Sequence, residues 1–170
     1  MRRAARIGLG AAASLAVLAV DQASKYWVLD VLDLPALGSI EVLPVLNLTL
    51  VWNHGITFGL LGAHSGWASL ALGVVALVVV AGLLVWLVRA ERLLVSIALG
   101  AVAGGAVGNV IDRARFGAVV DFVHAHAFGW SWYVFNLADA AIVCGVAALV
   151  LDGMRPPVRP DALAGPATET

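Results

Sequence analysis

Four stretches of this chain are almost unbroken hydrocarbon, and the polar positions gather near their ends. Arg2, Arg3 and Arg6 precede the apolar run Ile7 to Val20; Asp21-Gln22-Ala23-Ser24-Lys25 follows, and then apolar and aromatic residues return from Tyr26 to Leu29. A charged start and one apolar run also describe a cleaved secretory signal, but the renewed run predicts a helix that continues and spans. At 1.5 Å per residue, Asp21 lies about 21 Å along the axis from Ile7, most of the way across a roughly 30 Å hydrocarbon core. Lys25, one turn on, can pair with it. Ser65 to Val88 reads as a second span, closed by the tight charged turn Arg89-Ala90-Glu91-Arg92; Leu93 to Ile111 reads as a third and Phe135 to Leu151 as a fourth.

From Asp33 to about His64 the pattern changes. Pro35, Gly38 and Pro44 punctuate it, and Leu46-Asn47-Leu48-Thr49-Leu50-Val51-Trp52 alternates with period two, as a short strand does. A small sheet at a membrane surface is expected, followed at Asn53, Gly55 and Gly59 by a turn whose backbone is open to close approach. The third span carries Ser96, Gly100, Gly104 and Gly108 at four-residue steps, a stripe that lets another helix come close.

Composition agrees: 62% of the 170 residues are hydrophobic, 12% are charged and the mean hydropathy is +0.97, against an apolar share of about 45–50% in soluble domains. The chain reads as an all-α integral membrane protein with four transmembrane helices and a small extracytoplasmic sheet: one domain over residues 1–154, then a disordered cytoplasmic tail over 155–170. No basic run points to nucleic acid. The single cysteine, Cys144, excludes an internal disulfide and a CxxC metal site, and among Ile142, Val143 and Val146 it reads as buried and inert. With the N-terminus in the cytoplasm, Arg2, Arg3, Arg6, Arg89, Arg92, Arg155 and Arg159 lie inside and only Lys25, Arg113 and Arg115 outside, which satisfies the positive-inside rule. Trp27, Trp52, Trp67, Trp130 and Trp132 then gather at the outer interface, with Trp86 at the inner one.

The chemistry concentrates between Gly104 and Asp139. Asparagine is twice followed three residues later by aspartate, Asn109/Asp112 and Asn136/Asp139, and Asp121 lies between them. Residues i and i+3 share a helix face, so each pair is expected to point one way. In the topology above Asp112 lies about 28 Å from Leu93 and Asp139 about 6 Å beyond Phe135, which brings them, with Asp21, to one layer near the outer leaflet. Carboxylates beside hydrocarbon are costly. Two held close do not both ionise easily, so one keeps a proton while the other acts as a base, the logic of aspartic proteases. The residues alone leave a structural or ion-conducting role equally open. A proton relay through Asp21, Asp112 and Asp139 would place carboxylates through the whole depth, whereas the inner half of each span lacks one apart from Asp152. His124 and His126, with His54 or His64, form a weak zinc alternative without an HExxH motif.

Five ordered motifs, DQASK (21–25), NHGITFG (53–59), GGAVGNVIDR (104–113), GAVVDF (117–122) and FNLAD (135–139), give the chain a further resemblance. It is similar over nearly its whole length, the tail excepted, to signal peptidase II, the bacterial prolipoprotein signal peptidase family. Ile56-Thr57 stands where that family places a small pair, a difference that bears on substrate fit and not on a catalytic group. The resemblance implies an aspartyl dyad of Asp121 and Asp139 with no metal and no cofactor. Asp112 then supports the dyad, Asn109 and Asn136 orient it, Arg113 holds a substrate carbonyl, and Asp21, Lys25, Asn53 and Gly55 complete the lining. It also implies four spans in the bacterial cytoplasmic membrane with both termini cytoplasmic, a β-cradle outside, and lipid-modified prolipoproteins as substrates, processed by a monomer among membrane lipids.

Overall fold

The computed structural model describes residues 1–55 and 66–154. The expectations for Ile56-Thr57, Gly59, His64, Ser65, the Trp67 side chain and the tail lie outside the described residues. In chain order the elements are α1 (Arg3–Tyr26), a π-helical turn (Trp27–Val31), α2 (Leu34–Leu37), β1 (Ser39–Leu43), β2 (Leu46–Asn53), α3 (Gly66–Arg89), α4 (Leu93–Phe116), β3 (Val119–Ala127), β4 (Trp130–Ser131) and α5 (Leu137–Gly153).

Among the described residues, three helical stretches are long and apolar enough to cross a membrane: Arg3–Val31, Ser69–Arg89 and Leu93–Phe116. α4 is the central one, packed against α1, α3 and α5. Its small residues explain how. A methyl group on Gly100 would collide with the Gly10 backbone of α1, and one on Gly104 with the Ser14 backbone, so the expected stripe is the α1–α4 contact. On another side of α4, Gly105 lies against Ala138 of α5, and Gly145 of α5 lies against Val102 and the Ala98 carbonyl.

Gly145 also explains a correction. Because it is turned into α4, its neighbour Cys144 points away, and Cys144 is exposed rather than buried. α5 starts two residues later than the apolar pattern suggested, because Phe135 pairs with Val123 of β3 and is held extended. At the other end of the pattern, α4 runs past Ile111 to Phe116 and carries Asp112 and Arg113 with it.

The sheet is antiparallel with order β1-β2-β3-β4. Side chains alternate across a strand. One face of β3 thus sends Val120 and Phe122 into an apolar cluster with Val28 of the π turn and Leu34 of α2, joined at its edge by Leu48, Leu50 and Leu137. That cluster seats the sheet on the ends of α1 and α5, and it leaves Asp121 on the opposite face of the strand.

Candidate active site

Asp121 stands opposite Val51 of β2 and is only 1% exposed. Two side-chain amides hold it: Asn136 Nδ2 donates to Oδ1 at 2.7 Å, and Asn53 Nδ2 donates to Oδ2 at 2.9 Å. Burial pushes its carboxyl up to about 6; the Asn53 hydrogen bond pulls against that, the nearby Asp139 charge adds to it, and Asn136 and Lys25 oppose it.

Asp139 stands in the first turn of α5. Asn136 is not on the helix with it, as the three-residue spacing suggested, but is the N-cap: its Oδ1 accepts from Asp139 N at 2.9 Å. Asparagine is favoured there because its oxygen satisfies an N–H that the helix leaves free. Asn109 of α4 donates Nδ2 to Asp139 Oδ1 at 2.8 Å, and its Oδ1 accepts from Asn136 Nδ2 and Lys25 Nζ, each at 3.2 Å. Each carboxylate therefore has an amide donor, and the amides are bonded to one another. The amide orientations follow from this network, since nitrogens must face carboxylates and oxygens the ammonium.

Asp21, Lys25 and Asp112 lie behind this layer. They are 0%, 2% and 1% exposed, so they back the site rather than line its open side. Lys25 Nζ is 2.8 Å from Asp21 Oδ2 and 2.7 Å from Asp112 Oδ2. The pairing one turn apart that the sequence suggested is present, with a second carboxylate added. Gln22, a residue that no spacing argument marks, donates to Asp112 Oδ1 at 3.0 Å and to the Gly108 carbonyl at 3.3 Å. Its only signal was its position inside the DQASK motif.

The open side is formed by exposed Asn53 and Gly55 and half-buried Asp139 and Arg113. Asn53 Oδ1 accepts from Gly55 N at 2.8 Å, which turns the Asn53 nitrogen toward Asp121. Gly55 has φ +77°, a conformation that favours glycine, and a side chain there would run into Leu72. Arg113 donates NH1 to the Asn109 carbonyl at 3.2 Å, while its buried Nε has no hydrogen-bond partner among the described residues.

His124 and His126 sit on the sheet with rings 5.6 Å apart. Their Nε2 atoms pair with Ser131 Oγ at 2.6 Å and Asn47 Oδ1 at 3.1 Å. Among the described residues no group of three histidine, cysteine or carboxylate side chains is arranged to hold a metal ion.

Many known proteins are similar to this chain. Residues 13–155 match a family model described as signal peptidase (SPase) II. The lipoprotein signal peptidase of Methylorubrum extorquens strain PA1 is 50% identical over 150 residues, 88% of this chain and 88% of that protein. The lipoprotein signal peptidase of Methylobacterium sp. strain 4-46 is 46% identical over 158 residues, 93% of this chain and 96% of that protein. A bacterial membrane enzyme solved by the in meso method at 1.9 Å superposes with a TM-score of 0.73 at 28% identity, covering 87% of this chain and 94% of that one.

Proposed function

Because this chain belongs to the signal peptidase II family, and is thus a membrane protease that removes signal peptides from prolipoproteins, we propose that it works as an aspartic endopeptidase with Asp121 and Asp139 as its catalytic pair. The observation that carries this reading is the chain of amides from Asn53 through Asp121, Asn136 and Asn109 to Asp139, which holds buried Asp121 and half-buried Asp139 in one network. Asp121, its carboxyl pushed up by burial, carries the proton. Asp139 takes a proton from water as the water oxygen attacks the scissile carbonyl, and Asp121 protonates the carbonyl oxygen. The tetrahedral diol then collapses: the C–N bond breaks, the amine leaves with the proton held by Asp139, and the diol proton returns to Asp121. Substrate docking displaces water from the opening and favours the neutral form of Asp121 further.

Arg113 Nε, a buried donor with no partner among the described residues, is suited to a substrate carbonyl. Gly55 keeps the rim open to an extended peptide. The substrate is a precursor whose cysteine bears diacylglycerol, cut just before that cysteine.

Four spans, not three, complete the domain over 1–154, with 155–170 as a cytoplasmic tail. α5 has 17 residues, about 25 Å of helix, at the short end of what crosses a bilayer, and it packs along α4. The arginines at the end remote from the sheet support both termini being cytoplasmic and the site lying near the outer leaflet.

The test is hydrolysis of a diacylglyceryl-modified precursor by the purified protein with and without a chelator. Undiminished cleavage is expected. Cleavage lost to chelator and restored by zinc would transfer the chemistry to His124 and His126.

A further inference from the structure

Two backbone hydrogen bonds behind the site have matching positions. Asp112 Oδ2 accepts from the N–H of Val120 at 3.1 Å, and Val120 immediately precedes Asp121. Asp21 Oδ1 accepts from the N–H of Ala138 at 3.0 Å, and Ala138 immediately precedes Asp139. The Lys25 ammonium joins these two carboxylates at 2.8 and 2.7 Å. Its remaining contact, at 3.2 Å, is Asn109 Oδ1, on the amide that holds Asp139. An ammonium has three hydrogens to give, and here each has an acceptor.

We propose that Lys25 is a positioning residue whose ammonium bridges the carboxylates anchoring the backbone just before Asp121 and Asp139, and so sets the separation of the two. The proposal rests on reading Asp121 and Asp139 as the catalytic pair. One sits on a strand and the other on a helix, and the chain joining them passes through Phe128, Trp130, Trp132 and Tyr133, all largely exposed. Chain connection alone therefore does not set their spacing. Stability is a poor account of so many buried charges, because well-packed apolar residues of similar volume serve as well or better. A compact ammonium suits the role, since it offers three diverging donors at one point where a guanidinium offers a planar fork. Gly108 belongs to the same device: a side chain there would press on the Asp21 carboxylate.

The experiment measures kcat and KM on the lipid-modified precursor, with folding checked separately by thermal unfolding in detergent. The variants are Lys25→Met, Lys25→Arg and Lys25→Met combined with Asp21→Asn, which keeps an oxygen for the Ala138 N–H while removing one charge. Misplacement of about an ångström costs on the order of 100-fold. Lys25→Met and the double variant should therefore lose about 100-fold in kcat, with KM within about threefold. Lys25→Arg should fold yet lose roughly tenfold, because charge is kept and geometry is not. Wild-type kcat in a folded Lys25→Met or double variant would overturn the proposal. So would full activity of Lys25→Arg, or failure of every variant to fold, since either leaves Lys25 a charge-balancing or purely structural role. Asp121→Asn and Asp139→Asn run alongside: turnover retained in those two would instead sink the catalytic pair itself.

Discussion

Arg3, Arg6 and Arg92, at the end of the bundle remote from the sheet, reach carbonyls near the ends of other helices. Arg3 Nε donates to Val88 O at 3.1 Å, Arg6 Nε to Ala90 O at 3.3 Å, and Arg92 NH1 to the Asp152 carboxylate at 3.0 Å. At the sheet end the signs are reversed, and the carboxylates of Asp21 and Asp112 accept from the N–H groups of Ala138 and Val120. Cations on carbonyls and carboxylates on N–H groups both satisfy backbone that helices and strands leave unpaired. The ends differ in water. The Arg92 side chain is 48% exposed, so its charge is hydrated without a partner. Asp21, Asp112 and Asp121 are each at most 1% exposed, so their charges depend wholly on protein groups. The remote end has a member, Arg92, that keeps its water when its partner is lost, although Asp152 is itself only 6% exposed; among Asp21, Asp112 and Asp121 there is none.

The sharpest way to break that comparison is at the proposed catalytic pair. Asp121→Asn and Asp139→Asn should each reduce cleavage by about 1,000-fold or more while the protein stays folded and inserted, because asparagine keeps the shape and an acceptor oxygen. Steady-state assays on the lipidated precursor decide this. Near-normal turnover in Asp121→Asn beside none in Asp112→Asn would mean that the wrong carboxylates had been chosen.

Next in size is stability. Asp21→Ala removes one partner of a buried ion pair and strands the Ala138 N–H, a loss of about 3–5 kcal/mol. Thermal unfolding in detergent should show a large fall in midpoint. A change no larger than that of an exposed arginine variant would remove the distinction between the two ends.

How far these ends could be read from the chain depends on what kind of group does the work. The Asp21–Lys25 pair and the Gly100/Gly104 stripe follow from helix spacing, and β2 shows itself by its alternation of apolar and polar residues, with Leu48 and Leu50 packed against the apolar cluster. β3 did not, because Val119, Val120, Asp121 and Phe122 are buried on both faces, which erases the period of two. Hydropathy stopped α4 at Ile111, since Asp112 and Arg113 look like a helix end unless their partners on α1 and β3 are known. A spacing of three fits a helical pair and an N-cap equally, so Asn136 was misread. The motifs pointed to the site side chains, but the N–H groups of Val120 and Ala138 leave no mark, because every residue but proline has one.

A smaller effect should appear in the pH profile. The carboxyl of Asp121 lies at about 6 when folded, above an unfolded value of about 3.9. The folded state therefore binds more protons between these values, and this group's contribution to stability is full below about 3.9 and lost as pH rises through about 6. If the protonated form is the catalytic one, kcat/KM of the free enzyme should decline on the alkaline side with the same group. Asn53→Ala removes a hydrogen bond to the charged form, so the folded value should rise and the alkaline limb move to higher pH. An unmoved limb, or one moving downward, would show that another group sets it.

The smallest change is expected where the comparison began. Arg92→Ala removes an ion pair with Asp152 whose arginine side is half in water. Its carboxylate side is only 7% exposed, so the pair is worth more than the ~0–1 kcal/mol of a fully exposed one and less than the ~3–5 kcal/mol of one buried on both sides. Arg92 also donates to the Asp152 backbone carbonyl at 3.4 Å, a long contact that adds little. Unfolding should shift by clearly less than with Asp21→Ala, cleavage of the lipidated precursor should be unchanged, and raising the salt concentration should shrink the wild-type advantage. A loss comparable to that of Asp21→Ala would mean that the Arg92 end is as tightly coupled as the site, and that hydration does not explain the difference between the ends.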